Sequence, residues 1–429
     1  MITLRLDGLS LLLAFSVLLL GMMVVLFSGQ YLAKDENQEK YYALLNAMIG
    51  AIIGLGSAND LFNLWIWFEV MAIASYMLVA FYRHQSASLE AGVKYLVQSA
   101  AGSVLVLLGL SLIFAQSGTL NLDNLRSSLP TSLPVIGAGG LFVIGFGVKT
   151  ALVPLHTWLP DAHSQAPSGI SAMLSGVVIE AGLIALLRVL GMLSAVSSSW
   201  GPLLLGFGAV NMLVGNLLAL RQNQVKRLLA FSSVSHMGYM LLGIGAAIAF
   251  GQLDGAQGGF FHLLNHALMK GLAFLAAGCL LYSLYIAHDN HRPLMIADLS
   301  GAARRYPLVV FALSIALLGL GGLPPLAGFM SKWQIFVAGF ETRSPWIIGL
   351  VIFAALNSVL SLSYYAPIIN AMYRHQPTEA VKQGMAIPVT MSIPLVILVA
   401  AVVILGVWPS LANGITAPAG TSLLSIFGY

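Results

Sequence analysis

The chain consists of successive apolar stretches of about 20 residues, and this pattern constrains its fold more than any other feature. A helix of that length matches the hydrocarbon thickness of a bilayer. Inside a bilayer every backbone N–H and C=O group must be hydrogen-bonded within the protein, so the stretches are expected to be helical. Charged residues make up only 8% of the chain, against roughly a quarter in soluble domains. The sequence therefore predicts an all-α polytopic membrane protein with a single membrane domain over residues 1–429.

The apolar stretches define twelve predicted transmembrane spans. They cover residues 7–32, 41–57, 60–82, 91–116, 134–155, 166–193, 201–220, 228–250, 258–283, 306–340, 345–373 and 385–411. The span at 306–340 is too long for one straight transmembrane helix, so it must contain a break. The first span is interpreted as a retained helix and not a secretory signal, because its apolar run is long and no small-residue cleavage site follows.

The distribution of lysine and arginine predicts the orientation of the chain. Eleven of these residues follow odd-numbered spans and four lie on the opposite side. The larger group is Lys34, Lys40, Arg83, Arg221, Lys226, Arg227, Arg292, Arg304, Arg305, Arg374 and Lys382, and the smaller group is Arg5, Arg126, Arg188 and Arg343. Because positively charged loops are retained in the cytoplasm, both termini are expected on the non-cytoplasmic side. The net charge of +4 reflects this topology and does not indicate nucleic-acid binding.

Several charged residues remain inside the predicted spans. They are Glu69, Lys94, Lys149, Glu180, Lys270 and Lys332. A charged side chain at the centre of a transmembrane helix costs a few kcal/mol, which indicates that such residues serve a function. Lys94 lies near the start of its span, where a lysine that extends its amine to the membrane surface is an equally good explanation.

Histidines extend this polar pattern. His262, His266 and Lys270 recur every four residues in FFHLLNHALMKGLAF, which places them along one helix face over about 12 Å. His236 lies in the serine-rich segment SSVSHMGYM. A histidine pair four residues apart could bind a metal ion, but the sequence offers no evident third or fourth ligand. We expect a proton relay here and no metal site.

The sequence contains no sign of a redox cofactor. Cys279 is the only cysteine, which excludes a disulfide framework and a cysteine-ligated cluster. No glycine-rich phosphate loop or dinucleotide-binding fingerprint is present in the sequence. Any energy for transport is therefore expected to come from a partner protein.

Two proline-containing segments interrupt predicted spans. LVPLHTWL at 152–159 contains Pro154, and LPPLAGFM at 323–330 contains Pro324 and Pro325. Proline removes a backbone donor and clashes with the preceding helical turn. Each segment lies next to an intramembrane lysine, Lys149 in the first case and Lys332 in the second. Broken helices in corresponding positions of two halves indicate an ion or substrate path, because unwound backbone is tolerated only where protein or cavity water satisfies it.

Four motifs carry a resemblance that spans nearly the whole chain. The antiporter-like subunits of respiratory complex I, of Mrp-type Na+/H+ antiporters and of membrane-bound hydrogenases contain motifs similar to VKTALVPLHTWLPDAHSQAPSGISAML, VKRLLAFSSVSHMGYMLLG, NHALMKGLAFLAAG and LGGLPPLAGFMSKW. The resemblance implies two inverted five-helix repeats, each with one broken helix. In this chain they would cover about 41–193 and about 201–373, flanked by helices at 7–32 and 385–411.

The resemblance also assigns roles along a central hydrophilic axis. It implies that Glu69 pairs with Lys149 of the first broken helix. Lys270 resembles the lysine of the central relay, and Lys332 resembles the terminal residue of the second broken helix. The histidines that would line the relay are His236, His262 and His266.

The chain departs from the family pattern at two places. Glu180 stands thirty-one residues after Lys149, where the family usually has lysine, and this puts the step between the two half-channels in doubt. The chain begins with a segment that resembles the third of the usual fourteen helices, so the first two are expected to be missing. It is also expected to lack the long lateral helix of the largest complex I subunit.

By resemblance, the chain is a proton-translocating subunit of a multisubunit membrane complex that a partner redox module drives. The membrane would be an energy-conserving one, of plasma or thylakoid type. Three alternatives stay open: an Mrp-type antiporter subunit in which Na+ shares the path, a non-conducting structural subunit, and an energy-coupling subunit for inorganic carbon uptake. Glu180 supports the structural alternative, whereas Glu69 and the three lysines Lys149, Lys270 and Lys332 count against it.

Overall fold

The computed structural model describes residues 3–288, 290–374 and 376–429, and within these ranges it is helical without a β-strand. The α-helices are α1 Gly8–Tyr31, α2 Gln38–Ser57, α3 Leu61–Val79, α4 Ser86–Ser117, α5 Leu122–Ser128, α6 Leu133–Lys149, α7 Trp158–Gln165, α8 Ser168–Met173, α9 Ile179–Met192, α10 Trp200–Ala219, α11 Val225–Phe250, α12 Leu253–Leu284, α13 Pro307–Gly321, α14 Ala327–Glu341, α15 Pro345–Arg374, α16 Glu379–Gln383, α17 Val389–Val407 and α18 Asn413–Phe427. A π-helical turn, Leu174–Val178, joins α8 to α9, and short 3-10 turns occupy the connections.

The helices follow the predicted order of spans. In the described part of the chain, nine helices are long and apolar enough to cross a membrane, and one of these is the continuous segment Ser168–Met192 that contains α8 and α9. α2 has 20 residues and matches a further predicted span. The remaining two predicted spans are each divided, one into α6 and α7 and the other into α13 and α14. The all-helical fold with two broken helices is therefore confirmed.

The ends of the divided spans differ from the prediction. The fifth span was expected to run to residue 155, but α6 ends at Lys149 and α7 follows as a separate helix after a non-helical segment. α18 was not predicted at all, although it packs against α1 and α12. Its proline and its threonines and serines (NGITAPAGTSLLSIF) lower its apolar character, so composition gave no signal of a further helix.

Burial is concentrated in the elements that carry the intramembrane charges. All residues of Ser168–Met192 are buried, as are nearly all of those in α11 and α12. α15 and α17 bury one stripe and leave large apolar side chains such as Leu356 and Val396 exposed at the periphery. The polar residues of α9, α11 and α12 therefore lie at the centre of the bundle, away from lipid.

Two basic residues that were assigned to loops are in fact buried. Lys226 is the second residue of α11 and is 4% exposed, and Arg188 lies inside α9 at 2%. Lys226 was assigned to a loop because α11 begins three residues before the predicted span at 228–250. Arg188 lies within the predicted span at 166–193, so counting it with the loops was wrong. Without them, ten basic residues still face three, so the asymmetry of charge between the two ends of the bundle persists.

A buried ion pair ties the start of α1 to α9. Arg188 donates to both carboxylate oxygens of Asp7, at 2.8 and 3.1 Å, and to the carbonyl oxygen of Gly56 at 2.5 Å. Arg5 also contacts Asp7, at 3.3 Å, but its side chain is 35% exposed. Burial raises the pKa of Asp7, yet the ion pair and hydrogen bonds with Arg188 outweigh burial and hold this pKa below its ordinary value.

We expect Asp7→Asn to lower the free energy of unfolding by about 3–5 kcal/mol, because Arg188 would keep its charge without a buried counter-ion. Since the folded-state pKa of Asp7 is depressed, the ion pair should contribute fully above about pH 4 and be lost on acidification below that. Thermal unfolding in detergent at several pH values measures both effects. Arg5→Gln, which breaks a partly exposed pair, should cost less than about 1 kcal/mol. Equal stability of Asp7→Asn and the unaltered chain at neutral pH would contradict this account.

Candidate functional site

The first broken helix is unwound between α6 and α7, over residues 150–157. One side chain of α10 satisfies the backbone on both sides of Leu152. Asn211 accepts a hydrogen bond from the Val153 N–H at 2.9 Å and donates one to the Ala151 carbonyl oxygen at 3.1 Å. The indole N–H of Trp158 donates to the Val148 carbonyl oxygen at 2.7 Å. Neighbouring side chains thus replace the missing helical hydrogen bonds, as an intramembrane break requires.

The second broken helix is unwound between α13 and α14, over residues 322–326. Polar side chains contact the backbone on both sides of this break. Lys332 of α14 donates to the Leu320 carbonyl oxygen and to Ser358, both at 2.8 Å. Asn265 of α12 donates to the Ala327 carbonyl oxygen at 3.0 Å. The amine of Lys332 is therefore turned toward the unwound backbone.

Each break contains one residue with a left-handed backbone. Gly322 has φ of +82° in the second break, and Ala151 has φ of +56° in the first. Glycine adopts this conformation freely, whereas it costs an L-residue about 1–2 kcal/mol. A Cβ at Gly322 would also lie only 3.3 Å from the Lys332 amine. The second break therefore needs glycine, and the first holds a strained alanine, a type of strain that clusters at functional sites.

Lys149, the last residue of α6, is 1% exposed and lies in a pocket of aromatic rings and hydroxyls. Its amine donates to the Tyr95 hydroxyl at 2.7 Å and to Ser75 at 3.4 Å. It lies 5.8 Å from the ring centroid of Phe68 and interacts electrostatically with Glu69. The described residues contain no direct ion pair between Glu69 and Lys149, and within them Glu69 Oε1 is buried without a hydrogen-bond partner. A water-bridged pair between these two residues stays a prediction.

Four predicted residues from three helices meet at the centre of the bundle, where all are at most 1% exposed. Glu180 Oε1 lies 2.9 Å from Nδ1 of His266. His236 Nδ1 lies 3.0 Å from Nε2 of His262, whose Nδ1 lies 2.9 Å from the Ser331 hydroxyl. The rings of His236 and His266 have centroids 5.4 Å apart and connect the two pairs. We call this set, from Glu180 to Ser331, the central chain.

Two lysines lie at the ends of the central chain. Lys332 follows Ser331 directly, and its amine lies 4.7 Å from the ring centroid of Tyr239. Lys270 is one turn beyond His266 on α12, but its amine points to α11, where it donates to the Leu229 carbonyl oxygen at 2.7 Å and to the Ser232 hydroxyl. The structure brings all the predicted residues of α9, α11, α12 and α14 together, while Lys149 stands apart from them.

The segment that carries Glu180 links the central chain to the first break. The π-helical turn Leu174–Val178 lies directly before it, and such turns are frequent at functional sites. Gly182 packs against the unwound backbone, so that an added Cβ would lie 3.0 Å from the Thr150 nitrogen. A glycine is needed there for α9 to approach the break. No sequence pattern indicated the π-helical turn.

Two buried residues that sequence reasoning left out of the site lie between the first break and Lys270. His163, near the end of α7, is fully buried and stacks on Phe274 with ring centroids 4.7 Å apart. Its ring interacts electrostatically with Lys226 and Lys270, and neither of its nitrogens has a hydrogen-bond partner among the described residues. Lys226 donates to the Ala166 carbonyl oxygen. The signal for His163 was present in WLPDAHSQAP, where a histidine follows the first break.

Lys94 does not belong to this buried set. Its side chain is 49% exposed and pairs with Glu90 at 2.7 Å and with Asp161 at 3.2 Å. This is the surface position that the alternative explanation for Lys94 required. In the part of the chain that the structure describes, no group of three or more His, Cys, Asp or Glu side chains is placed to hold a metal ion.

Comparison with known proteins places this geometry in a family. Residues 58–358 match the family described as "NADH:quinone oxidoreductase/Mrp antiporter, TM". Residues 1–42 match the family described as "NADH-Ubiquinone oxidoreductase (complex I), chain 5 N-terminus". The chain belongs to the NADH:quinone oxidoreductase/Mrp antiporter family. It is an integral membrane protein and an antiporter-like subunit.

Individual relatives agree with this assignment. F(420)H(2) dehydrogenase subunit N of Methanosarcina mazei is 33% identical over 416 residues, which cover 95% of this chain and 82% of the relative. Hydrogenase-4 component B of Escherichia coli is 32% identical over 431 residues, or 94% of this chain and 62% of that protein. A chain of the membrane-bound sulfane sulfur reductase, an archaeal respiratory membrane complex, superposes with a TM-score of 0.87 at 31% identity, covering 99% of this chain and 84% of that chain. Such relatives are subunits of multisubunit assemblies, so the antiporter-like subunit has membrane subunits as partners.

We expect Tyr95→Phe to lower the free energy of unfolding by about 1–3 kcal/mol, because Lys149 would lose its nearest hydrogen-bond acceptor while remaining buried. Ser75→Ala should cost less, since the Ser75 hydroxyl is 3.4 Å from the amine against 2.7 Å for Tyr95. Thermal unfolding of both variants in detergent measures the difference. A larger loss for Ser75→Ala than for Tyr95→Phe would show that the lysine depends on another acceptor.

Proposed function

We propose that the antiporter-like subunit moves protons across the membrane inside a multisubunit complex and that a partner module supplies the energy. The observation that carries this proposal is the central chain, in which one carboxyl group, three imidazoles and one hydroxyl lie in sequence in the middle of the bundle. Keeping ionisable groups at such positions costs a few kcal/mol each, which conduction explains and packing does not.

The chemistry of the central chain suits proton transfer. An imidazole has one nitrogen that donates and one that accepts, so a proton taken up on one side can leave from the other. Glu180 and the Ser331 hydroxyl can each donate and accept at the two ends. Between His266 and His236, whose centroids are 5.4 Å apart, transfer requires a ring rotation or a bridging water.

The two breaks give the central chain its connections to the membrane surfaces. We assign the first half-channel to about 41–193, with Glu69 and Lys149, and the second to about 201–373, with Lys270 and Lys332, flanked by the helices at 7–32 and 385–411. Pro154, Pro324 and Pro325 lie in the unwound segments. The protonation of a buried lysine responds to nearby charges, so a charge that approaches or withdraws in a partner can load or unload it.

His163 and Lys226 can connect the first half-channel to the second. They interact with each other electrostatically, and His163 also interacts with Lys270. Gly182 holds the segment of Glu180 against the backbone next to Lys149. These contacts support a path from the first break to Lys270 and Glu180 that does not require a lysine at position 180.

The orientation follows from charge. We propose that the end of the bundle that carries most of the lysines and arginines faces the cytoplasm and that both termini face the other side. The membrane is then an energy-conserving one, of plasma or thylakoid type. Because the sequence has no motif for a redox cofactor, electron transfer belongs to the partner module and this subunit contributes the translocation step of an oxidoreductase.

We expect Glu180→Gln to abolish proton translocation while the complex still assembles, because glutamine keeps the size and polarity of the side chain but cannot ionise. Glu180→Lys, which restores the usual family residue, should retain partial translocation. The measurement is proton uptake into sealed vesicles that contain the complex. Glu90→Gln is the matched control, since Glu90 is 66% exposed and should leave uptake unchanged. Uptake at the normal rate in Glu180→Gln would favour the non-conducting structural subunit.

Sodium separates the proposal from its nearest rival. The family description names both NADH:quinone oxidoreductase and the Mrp antiporter, so Na+ is the competing cargo. We expect the rate of proton uptake to be the same with and without Na+ at constant ionic strength. A rate that rises with Na+ and is lost in Glu180→Gln would instead assign the central chain to a Na+/H+ antiporter.

A further inference from the structure

A large cavity opens beside α15 at the end of the bundle that is rich in lysine and arginine. Its volume is about 990 Å³. Polar side chains in its wall include Gln222, Asn223, Arg292, Asp298, Ser363 and Asn370. Arg292 and Asp298 form an ion pair at 2.8 Å, which makes this rim hydrophilic. We call this cavity the vestibule; it is separate from both helix breaks and from the central chain.

At the wall of the vestibule, α15 lacks one helical hydrogen bond. Pro367 lies inside this helix and lines the cavity together with Ser363, four residues earlier. Proline lacks the N–H that would bond to the carbonyl of the residue four positions before it. The carbonyl of Ser363 is therefore released from the helix at the vestibule wall, where water can satisfy it.

A line of hydroxyl groups leads from the vestibule to Lys270. Tyr364 lines the cavity and is 4% exposed, and Tyr365 behind it is fully buried. The two tyrosine rings meet edge to face with centroids 4.4 Å apart. The Tyr365 hydroxyl is hydrogen-bonded to Ser232, and Ser232 in turn accepts from the Lys270 amine. The Tyr364 hydroxyl itself donates to Asn216, so transfer from Tyr364 to Tyr365 requires this hydroxyl to rotate or a water to bridge the two tyrosines.

Two asparagines, Asn216 and Asn357, hold the Tyr364 hydroxyl in place. Tyr364 donates to Asn216 Oδ1 at 2.8 Å, and Asn216 donates to the side chain of Asn357 at 3.1 Å and to its carbonyl oxygen at 2.9 Å. All three side chains are buried. Tyr364 is therefore fixed at the boundary between the vestibule and the buried Lys270, and an apolar side chain would pack α15 without these hydrogen bonds.

From this arrangement we infer that the vestibule is hydrated and that the pair Tyr364–Tyr365 forms a second proton access to Lys270, separate from the first broken helix. Each hydroxyl both donates and accepts a hydrogen bond, so a proton moves from water in the vestibule through Tyr364, Tyr365 and Ser232 to the lysine. No bond other than O–H and N–H is made or broken, and each group returns to its starting state after passing the proton on.

This inference rests on the proposed function and adds a second supply of protons to Lys270. Lys270 could be loaded from the vestibule while Glu180 and the histidines carry protons from the first half-channel. Protons from both routes then meet at His266, so translocation still requires Glu180 as the hydrogen-bond partner of that ring. The hydroxyl pair also sets a control point, because rotation of either tyrosine interrupts the line.

Cysteine labelling tests whether the vestibule is hydrated. Cys279 is the only cysteine in the sequence of this chain and is buried, so label recovered on this chain reports the introduced thiol. Ser363→Cys lies in the vestibule wall, and Val359→Cys lies one turn earlier on α15, 66% exposed at the periphery. In the intact complex in vesicles, a charged, membrane-impermeant thiosulfonate should label Ser363→Cys at least tenfold faster than Val359→Cys. Equal, slow labelling of both would mean a lipid-filled groove and would overturn the inference.

Proton uptake by the same vesicles tests the hydroxyl line. Tyr365→Phe removes the hydroxyl that joins Tyr364 to Ser232 and should lower the number of protons moved per partner turnover at least fivefold. Tyr373→Phe, an exposed position on the same helix, should leave this ratio unchanged. Modification of Ser363→Cys by the thiosulfonate should also lower the number of protons moved per partner turnover.

Glu180→Gln separates failure of this inference from failure of the proposed function. If Glu180→Gln abolishes uptake while Tyr365→Phe leaves it normal, the second access is wrong and the central chain stands. If neither variant changes uptake, both proposals are wrong. If both variants lower uptake and Ser363→Cys is labelled, the second access is supported.

Discussion

The interaction on which the rest of this structure depends is the hydrogen bonding of unwound backbone inside the membrane. A helix that is broken in the bilayer releases N–H and C=O groups that cost several kcal/mol if they are left unpaired. Asn211 meets this demand at the first break, and Lys332 meets it at the second, where Asn265 also binds the first carbonyl of α14. Each of these side chains belongs to another segment, so the breaks fix how α10, α12 and α14 pack around them.

The helices that hydrogen-bond the unwound backbone also form the polar centre of the bundle. α12 provides Asn265 for the second break and, one residue later, His266 for the contact with Glu180. Gly182 brings the segment of Glu180 against the first break, and Ser331 connects His262 to the lysine of the second. The same few helices thus satisfy the unwound backbone and align the ionisable side chains. A break without these neighbours would destabilise the fold, and the ionisable residues without the breaks would have no route outward.

Much of this could be predicted from the sequence, because the lipid environment leaves helices as the only option and proline marks where they fail. Span order and both breaks follow from pattern or resemblance. The π-helical turn at Leu174–Val178, the role of Asn211 and the burial of Lys226 could not be predicted. These depend on which side chain from a distant helix reaches a given backbone atom, and neither spacing nor hydropathy contains that information.

The presence of Glu180 where the family usually has lysine changes the electrostatics of the whole central chain. A lysine facing His266 would be a second donor when the ring is protonated, and the two groups would repel each other. Glu180 can pair with His266 in either protonation state, because a carboxyl group can donate or accept across the 2.9 Å between Oε1 and Nδ1. Lys270, one helical turn from His266, directs its amine to the Leu229 carbonyl oxygen and the Ser232 hydroxyl, which leaves Glu180 as the hydrogen-bond partner of His266 Nδ1.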